Sequence, residues 1–290
     1  MSAPVRRLGT AMNPFAPGAS GRCLVMGILN VTPDSFSDGS RYLRTEQAVR
    51  HGLRMVSHGA DIVDVGGEST RPGAARVPVE EELTRVLPVV RELAHAGVSV
   101  SIDTMRSAVA EAAADAGAVI VNDVSGGLAD PAMAPAVAGL GIPYVAMHWR
   151  AHSGEMHLHT HYRDVVGDVV TELRTRLDHL VAAGIEPEHI VVDPGLGFAK
   201  TAEQSWQLLR SLDALQALGR PVLVGASRKS FLARSIPDTA KRDTATAAVT
   251  AIAAARGAFA VRVHDVATSA VAVRIAATMQ GSGLSSAVER

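Results

Sequence analysis

Short apolar runs recur along the chain, and each one ends on a cluster of polar or glycine residues. Eight such runs occur, at residues 23–30, 61–70, 98–104, 118–123, 143–148, 189–195, 221–229 and 260–265. Apolar runs of this length are typical of buried parallel strands. Polar groups repeated at one end of such strands indicate a barrel whose active site lies at that end.

Helical patterns separate these runs. Apolar residues recur at helical spacing in the segments 45–59, 80–96, 105–116, 131–139, 162–183, 203–218, 242–256 and 266–279. The longest stripe consists of Val165, Val169, Leu173, Leu177 and Leu180. Strand and helix therefore alternate eight times along the chain.

Two of these helices carry more specific predictions. Thr45 is expected to cap the first helix, with Val49, Leu53 and Val56 on its buried face. Pro88 lies inside the second helix and predicts a kink or an early break there, because proline removes a backbone donor.

The alternation is compatible with an open doubly wound sheet or with a closed (β/α)8 TIM barrel. The count of eight favours the α/β barrel, and so does the spread of polar strand ends, because an open sheet concentrates its ligand contacts at one switch point. No G-x-G-x-x-G spacing follows a strand, so a nicotinamide cofactor is not expected. We predict a flexible N-terminal extension at 1–22, a single barrel domain at 23–280 and a C-terminal tail at 281–290.

The composition narrows the possible partners. The 290 residues carry a formal net charge of −1 with dispersed basic residues, so nucleic acid is not an expected partner. No segment is apolar enough for a signal-peptide core or a membrane span. Cys23 is the only cysteine and lies in an apolar run, which indicates a reducing, cytoplasmic environment.

Acids and an amide end three of the predicted strands. Asp103 could stabilise a developing cation or accept a proton. Asn122 could satisfy a mixed donor and acceptor edge, which a carboxylate cannot. Asp193 could accept two parallel N–H groups from a planar, guanidine-like edge. The three residue types suit an aminopyrimidinone ring.

Basic residues end two further strands. Lys229 precedes a predicted helix start, where a cation can meet a carbonyl oxygen and helix N–H groups can hold an anion. Arg262 and His264 are two positions apart on one strand and therefore point to the same side. With Asn30 nearby in a closed barrel, they predict a phosphate pocket.

Two loops after the first strands are expected to cover this site. The polar loop that follows the first strand has Phe36 at its centre, and long loops of this kind are often active-site lids. The glycine-rich turn after the second strand offers N–H groups and the guanidinium of Arg71, which suit an anion. Glycine-rich turns are common, so this second feature is weak on its own.

Eight motifs in order resemble those of the dihydropteroate synthase family. They are GILN (27–30), TPDSFSDG (32–39), GGESTRPG (66–73), SIDT (101–104), NDVSGG (122–127), DPGLGF (193–198), SRK (227–229) and RVHD (262–265). The resemblance extends from about residue 23 to residue 279. It implies a transferase of folate biosynthesis that joins 6-hydroxymethyl-7,8-dihydropterin diphosphate to 4-aminobenzoate and releases diphosphate.

The resemblance also implies roles for particular residues. The pterin would be held by four side chains at strand ends, Asp103, Asn122, Asp193 and Lys229. The diphosphate would be held by Asn30, Arg262 and His264, and Asn30 would help to bind the Mg²⁺ cofactor. The aminobenzoate site and its lid loops would include Ser35, Phe36, Thr70, Arg71, Pro72, Phe198 and Ser230. The catalytic residues would be Asp103, Lys229, Arg262 and His264.

The residue types suit a substitution with strong dissociative character. Diphosphate is a good leaving group once basic side chains and Mg²⁺ neutralise its charge, and the electron-rich pterin can carry positive charge at its methylene carbon. Asp103 would help to stabilise that cation. The resemblance further implies a homodimer and binding of sulfonamide drugs, which resemble 4-aminobenzoate.

Other functions remain open at this level. A folate-binding barrel that transfers methyl groups to a corrinoid protein would share the pterin-binding strands. A non-catalytic pterin-binding paralogue should have lost chemical positions, and none is visibly lost. The residues alone are also compatible with a barrel enzyme that acts on an unrelated phosphorylated substrate.

The segment after the fifth strand is rich in histidine, with His148, His152, His157, His159 and His161. Alternating histidines can bind a transition metal. The segment lacks an acidic or cysteine partner pattern, so we favour an ordinary loop over a metal site.

Overall fold

Eight parallel strands form the centre of the molecule. The computed structural model describes residues 21–32, 41–69, 76–152, 154–236 and 238–281. The strands are β1 (Leu24–Asn30), β2 (Ile62–Gly66), β3 (Val100–Asp103), β4 (Ile120–Asp123), β5 (Tyr144–Met147), β6 (Ile190–Asp193), β7 (Leu223–Val224) and β8 (Ala260–Val263). Each lies within one of the eight apolar runs.

The strands form a closed barrel. Strands β1 to β6 pair in sequence order, and β8 pairs with both β1 and β7. A parallel bridge between Val192 and Val222 joins β6 to the residue before β7 and completes the ring. The predicted single-domain (β/α)8 barrel is therefore confirmed, and the open doubly wound sheet is excluded. The 1–22 extension and the 281–290 tail lie almost entirely outside the described residues.

Helices surround the barrel. They are α1 (Arg41–Ser57), α2 (Val79–His95), α3 (Ser107–Asp115), α4 (Met133–Leu140), α5 (Val165–Ala182), α6 (Ala202–Arg210), α7 (Leu212–Gln216), α8 (Ser230–Ser235), α9 (Arg242–Ala255) and α10 (Val266–Met279). No helix among the described residues is both long and apolar enough to cross a membrane.

The predicted details of α1 are only partly correct: Val49 packs against the core as expected, but the predicted cap and two other buried positions are wrong. Thr45 lies inside the helix rather than at its cap. Leu53 and Val56 are both 40 % exposed, whereas Ala48 is buried with no accessible surface. Small residues form the inner face because the helix lies close to its neighbours: a Cβ added at Gly52 would stand only 2.9 Å from a methyl group of Leu93. The buried side therefore carries Ala48, Gly52 and Met55 rather than Leu53 and Val56.

The other helices follow their patterns more closely. The five-residue stripe of α5 is buried as predicted. Helix α2 continues without a break through Pro88, so an early break there was a wrong expectation. The single helix predicted over 203–218 is interrupted at Ser211, which separates α6 from α7.

The lower part of the barrel is filled by apolar side chains. They come from seven of the eight strands and are Leu24, Met26, Ile62, Ile120, Val145, Val191, Leu223 and Ala260. This packing closes the end of the barrel where the strands begin. A ligand can therefore be held only at the other end, which the polar strand ends line.

Candidate active site

The strand register places polar side chains on one face of the sheet near the carboxyl end of the barrel. Asp103 is aligned with Gly66 on one side and with Asn122 on the other. Met147 is aligned with Asp193 in the same way. Residues in register on neighbouring parallel strands face the same side of the sheet. Asp103 and Asn122 therefore face the barrel interior together, and Met147 and Asp193 face the same side two positions further along their strands.

A buried ion-pair network forms the floor of this pocket. Arg262 donates one hydrogen bond from Nε to Asp64 at 2.6 Å and another from a terminal nitrogen to Asp103 at 2.5 Å. The amide nitrogen of Asn122 also donates to Asp64, at 2.9 Å. A residue expected to hold diphosphate thus contacts Asp103, which is expected to hold the pterin, and Asp64 on the neighbouring strand.

Asp64 was not predicted from the sequence. It lies in the middle of its strand, it is completely buried, and its carboxylate accepts hydrogen bonds from two predicted site residues. The available signal was an acid in the middle of an apolar run, two positions before Gly66. Acids are almost never fully buried unless they are paired, so this position should have indicated a partner inside the barrel.

Burial and charge act in opposite directions on Asp103. Removal from water raises the pKa of Asp103 above its usual range, while the adjacent Arg262 guanidinium opposes this rise. Asp64 is a second acid on the same guanidinium, so the floor contains two carboxyl groups and one permanent cation. Such a floor favours an electron-poor or N–H-rich ligand above it.

Asp193 and Lys229 form the opposite wall. The backbone N–H of Gly195 donates to Asp193 at 2.7 Å. A Cβ added at Gly225 would lie 3.4 Å from the other carboxylate oxygen and 3.7 Å from Nζ of Lys229, so the missing side chain leaves room for both groups. Burial raises the pKa of Asp193, against the effect of Lys229, and burial lowers the pKa of Lys229 to about 8.

The loop between β6 and α6 extends this wall. Lys229 donates to the carbonyl oxygen of Leu196 at 2.5 Å, and its ammonium lies 4.6 Å from the centroid of the Phe198 ring. Phe198 is half-buried. Ser230 is the exposed first residue of α8, next to Lys229. Phe198 and Ser230, the two described residues among those predicted for the aminobenzoate site and its lid loops, therefore lie beside Lys229.

His264 is the basic residue on the side of the pocket that β1 and β8 form. The Ser227 hydroxyl accepts the backbone N–H of His264 at 3.1 Å and lies 2.9 Å from Nδ1 of its ring. The hydroxyl can donate to Nδ1 when the ring proton is on Nε2, or accept from Nδ1 in the other tautomer. Asn30 ends β1, is only partly buried, and is aligned with Gly66.

Asn30 offers the kind of ligand that Mg²⁺ accepts. Mg²⁺ commonly binds through one or two protein oxygens together with substrate phosphates and water. No group of three or more His, Cys, Asp or Glu side chains suited to a metal occurs within the described ranges. A partly exposed amide oxygen at the mouth fits an ion that arrives with a diphosphate.

Five predicted residues cannot be placed. The five are Ser35, Phe36, Thr70, Arg71 and Pro72, and they lie outside the described residues.

A second ion-pair network is centred on Glu68, which accepts hydrogen bonds from Arg76 and Arg106 at 3.2 and 2.7 Å. Arg106 also pairs with the buried Glu82, whose pKa is raised by burial. This second buried network lies directly behind Asp103, and it was not predicted.

The histidines after β5 divide into two groups. His148 is buried, and its two ring nitrogens lie 2.9 Å from Lys200 and 2.9 Å from Glu172. His157 and His159 belong to an exposed 3-10 helix. Burial, reinforced by the Lys200 ammonium, lowers the pKa of His148 to about 4, so its ring is neutral at physiological pH.

The barrel and its polar mouth define a pterin-binding enzyme: the family described as pterin binding enzyme matches residues 26–264. A dihydropteroate synthase of Mycobacterium leprae is 55 % identical over 261 residues, which cover 87 % of this chain and 91 % of that protein. The chain belongs to the dihydropteroate synthase family. The family that the eight motifs resembled is thereby confirmed.

Solved structures agree with this assignment. Dihydropteroate synthase of Xanthomonas albilineans with 4-aminobenzoic acid is 44 % identical, with a TM-score of 0.84 over 89 % of this chain and 93 % of that one. The same enzyme in complex with 7,8-dihydropteroate is 41 % identical, with a TM-score of 0.81 over 89 % and 94 % of the two chains. The fold of this chain is therefore the fold of these enzymes.

Proposed function

We propose that the chain joins 6-hydroxymethyl-7,8-dihydropterin diphosphate to 4-aminobenzoate, forming dihydropteroate and releasing diphosphate. The observation that carries this proposal is the division of charge at one barrel mouth. Acids and an amide, Asp103, Asn122 and Asp193, lie on one set of strands. Basic side chains lie on the other side of the mouth: Arg262 is on β8, and His264 directly follows that strand.

The pterin ring matches the acidic side. Its amino group and neighbouring ring N–H present two parallel donors, and Asp193 is a buried carboxylate with a free side toward Lys229. Lys229 would meet the ring carbonyl, exchanging its contact with the Leu196 carbonyl for one with the substrate. Asn122 supplies both an acceptor and a donor at the floor.

The leaving group matches the basic side. Arg262 and His264 would bind the diphosphate oxygens, and Asn30 would hold Mg²⁺ at the same edge. When bound, Mg²⁺ neutralises charge on the leaving diphosphate. To bind the diphosphate, Arg262 would turn its terminal nitrogen away from Asp103, while its Nε keeps the hydrogen bond to Asp64.

The floor then favours the charge that develops in the reaction. The bond between the methylene carbon and the diphosphate oxygen breaks, and positive charge spreads over the pterin. Asp103, released from Arg262, would stabilise that charge. The aminobenzoate nitrogen forms the new C–N bond and loses one proton to water. This nitrogen needs no strong general base for its attack, because the methylene carbon is strongly electrophilic.

One assay tests the proposal. The protein is incubated with pterin diphosphate, 4-aminobenzoate and Mg²⁺, and we expect dihydropteroate and diphosphate in equal amounts, with inhibition by a sulfonamide that competes with 4-aminobenzoate. Tight pterin binding without any product would support the non-catalytic paralogue instead. Transfer of a methyl group from a folate would support the corrinoid-dependent function.

Asp103→Asn tests the role of the acid in chemistry. We expect the single-turnover rate to fall about 100-fold while the Kd for pterin diphosphate changes by less than about threefold, because the charge acts mainly in the transition state. Asp115→Asn, an exposed acid at the end of α3, is the control and should match the wild type. The assigned role is wrong if pterin affinity collapses while the single-turnover rate is unchanged.

Two further proposals concern the location of the protein in the cell and its oligomeric state. The chain functions in the cytoplasm, which is supported by the single, buried cysteine.

The chain also forms a homodimer through α9 and α10. Four large apolar side chains are exposed on this helix pair, namely Ile252, Val271, Ile275 and Met279. Contiguous apolar patches on a protein surface commonly mark an interface.

A further inference from the structure

Lys200 is a buried ammonium group in the loop between β6 and α6. Only 7 % of its surface is accessible. Its Nζ lies 2.9 Å from Nδ1 of His148 and 3.1 Å from each of the carbonyl oxygens of Gly195 and Phe198. These three acceptors match the three donors of an ammonium group. Burial lowers the pKa of Lys200 to about 7, against the effect of nearby Asp193.

A chain of polar contacts links this lysine to the histidine-rich loop. His148 is neutral and accepts from Lys200 at Nδ1, so its ring proton is on Nε2 and points to Glu172 at 2.9 Å. Glu172 also accepts from Arg150, at 3.1 Å from Nε. Burial acts to raise the pKa of Glu172, but the hydrogen bonds from His148 and Arg150 lower it to about 2.

A second contact joins the same two loops. The guanidinium of Arg150 lies 3.7 Å from the centroid of the Tyr162 ring. The Tyr162 hydroxyl donates to the carbonyl oxygen of Ala199 at 3.1 Å. The loop between β5 and α5 therefore holds the β6–α6 loop through both Lys200 and Tyr162.

The β6–α6 loop needs such support because its backbone is strained. Ala199 has φ of 47°, in the left-handed region that a residue with a Cβ adopts only at a cost. Gly195 has φ of 65°, and a Cβ there would lie 2.4 Å from the carbonyl oxygen of His148. The loop is thus pressed against the backbone of its neighbour and fixed on both sides of Phe198.

We propose that Lys200 is a positioning residue that fixes Phe198 for 4-aminobenzoate, with His148, Glu172 and Tyr162 as its supports. It touches no substrate itself. The Phe198 ring borders Lys229, and its carbonyl is one of the three acceptors of Lys200. The inference rests on the proposed synthase activity, and it gives the histidine-rich loop a role as the brace of the neighbouring loop.

The test compares Lys200→Met with Lys241→Met. Methionine keeps most of the length of the side chain and removes its donors. Lys241 has a 69 % exposed side chain and makes only a surface ion pair, so its variant is the matched control. Steady-state kinetics give the KM for 4-aminobenzoate, calorimetry gives the Kd for pterin diphosphate, and hydrogen exchange follows the amides of residues 195–201.

We expect Lys200→Met to raise the KM for 4-aminobenzoate about tenfold or more, with the Kd for pterin diphosphate within about twofold of wild type. Exchange should quicken at 195–201 and nowhere else. Lys241→Met should be unchanged in all three. An unchanged KM overturns the inference. An equal weakening of both substrates also overturns it, because a general loss of folding would affect the two substrates alike.

Tyr162→Phe provides a second route if the first variant does not fold. It removes a single hydroxyl from the Ala199 carbonyl and keeps the ring beneath Arg150. We expect the KM for 4-aminobenzoate to rise about threefold while the Kd for pterin diphosphate stays unchanged. An unchanged KM in this variant overturns the inference. If the wild type itself forms no dihydropteroate, the proposed function fails, whereas hydrogen exchange still reports whether Lys200 fixes the loop.

Discussion

At the scale of single residues, Asp64 organises the pocket without being placed to meet a ligand. It is completely buried and holds both Arg262 and Asn122. One residue therefore fixes the directions of a group for the diphosphate and a group for the pterin. Removing one partner of a buried charge pair is costly because the other charge remains buried.

Asp64→Asn should separate this role from ordinary stabilisation. The amide keeps its size but loses the charge, so Arg262 would shift fully toward Asp103. We expect kcat/KM for the pterin substrate to fall about 100-fold, measured by initial rates at saturating aminobenzoate. The control is Asp61→Asn at the closed end of the barrel, where Asp61 pairs with Arg22 at 2.7 and 2.9 Å. That variant should lose stability and keep kcat/KM; equal kinetics in both variants would contradict the role of Asp64.

At the scale of elements, the β5–α5 and β6–α6 loops form one unit whose stability depends on pH. His148 has an ordinary pKa of 6.5 when exposed and a pKa of about 4 when folded. Between these values the unfolded chain binds a proton that the folded chain does not. The free energy of unfolding therefore decreases as the pH falls from 6.5 to 4, and this contribution is complete above 6.5.

His148→Gln removes that titration. Across pH 6.5 to 4 we expect the wild type to lose up to about 3 kcal/mol more stability than the variant, measured by urea unfolding at each pH. His159→Gln is the comparison, because His159 is exposed in the same loop. Parallel curves for wild type and His148→Gln would show that the buried ring is not the titrating group.

Elements whose buried face is made of large apolar residues could be predicted from the sequence. The stripe of α5 and the eight strands are of this kind. The face of α1 could be predicted only in part, because Ala48 and Gly52 allow close approach to other elements and are not marked by strong hydrophobicity. The break at Ser211 has no proline or glycine to mark it.

The candidate site shows the same division. Residues at strand ends, such as Asp103 and Asp193, could be predicted because the ends of parallel strands meet at one rim. Lys200 could not, because a lysine after a glycine-rich loop is usually solvated. Its burial depends on His148, 52 positions away in the chain. Such a partner becomes visible only when two loops are packed together.

At the scale of the whole molecule, the exposed apolar side chains of α9 and α10 mark the face proposed for dimer formation. Ile275 and Ile252 are 56 % and 61 % exposed, and Met279 is 80 % exposed. The two helices pack against each other beside β8, so their outer surfaces form one patch.

Ile275→Glu tests the proposed dimer. A charge in an apolar interface is unpaired and desolvated, so we expect the dimer to dissociate, with its Kd raised at least about 100-fold, measured by sedimentation velocity over a range of concentrations. Val181→Glu places the same charge on α5, where Val181 is 39 % exposed, and should leave the association unchanged. A monomeric wild type at all concentrations would refute the dimer outright.

The pairing of Asp64 with Arg262 also has a consequence for synthesis of the chain. The two residues are 198 positions apart. At about 5–20 residues per second on the ribosome, Asp64 waits roughly 10–40 s before its partner has been made. During that time the early strands carry an uncompensated acid and cannot close. A nascent chain therefore has no partial site, and binding competence begins only when the last strand has emerged.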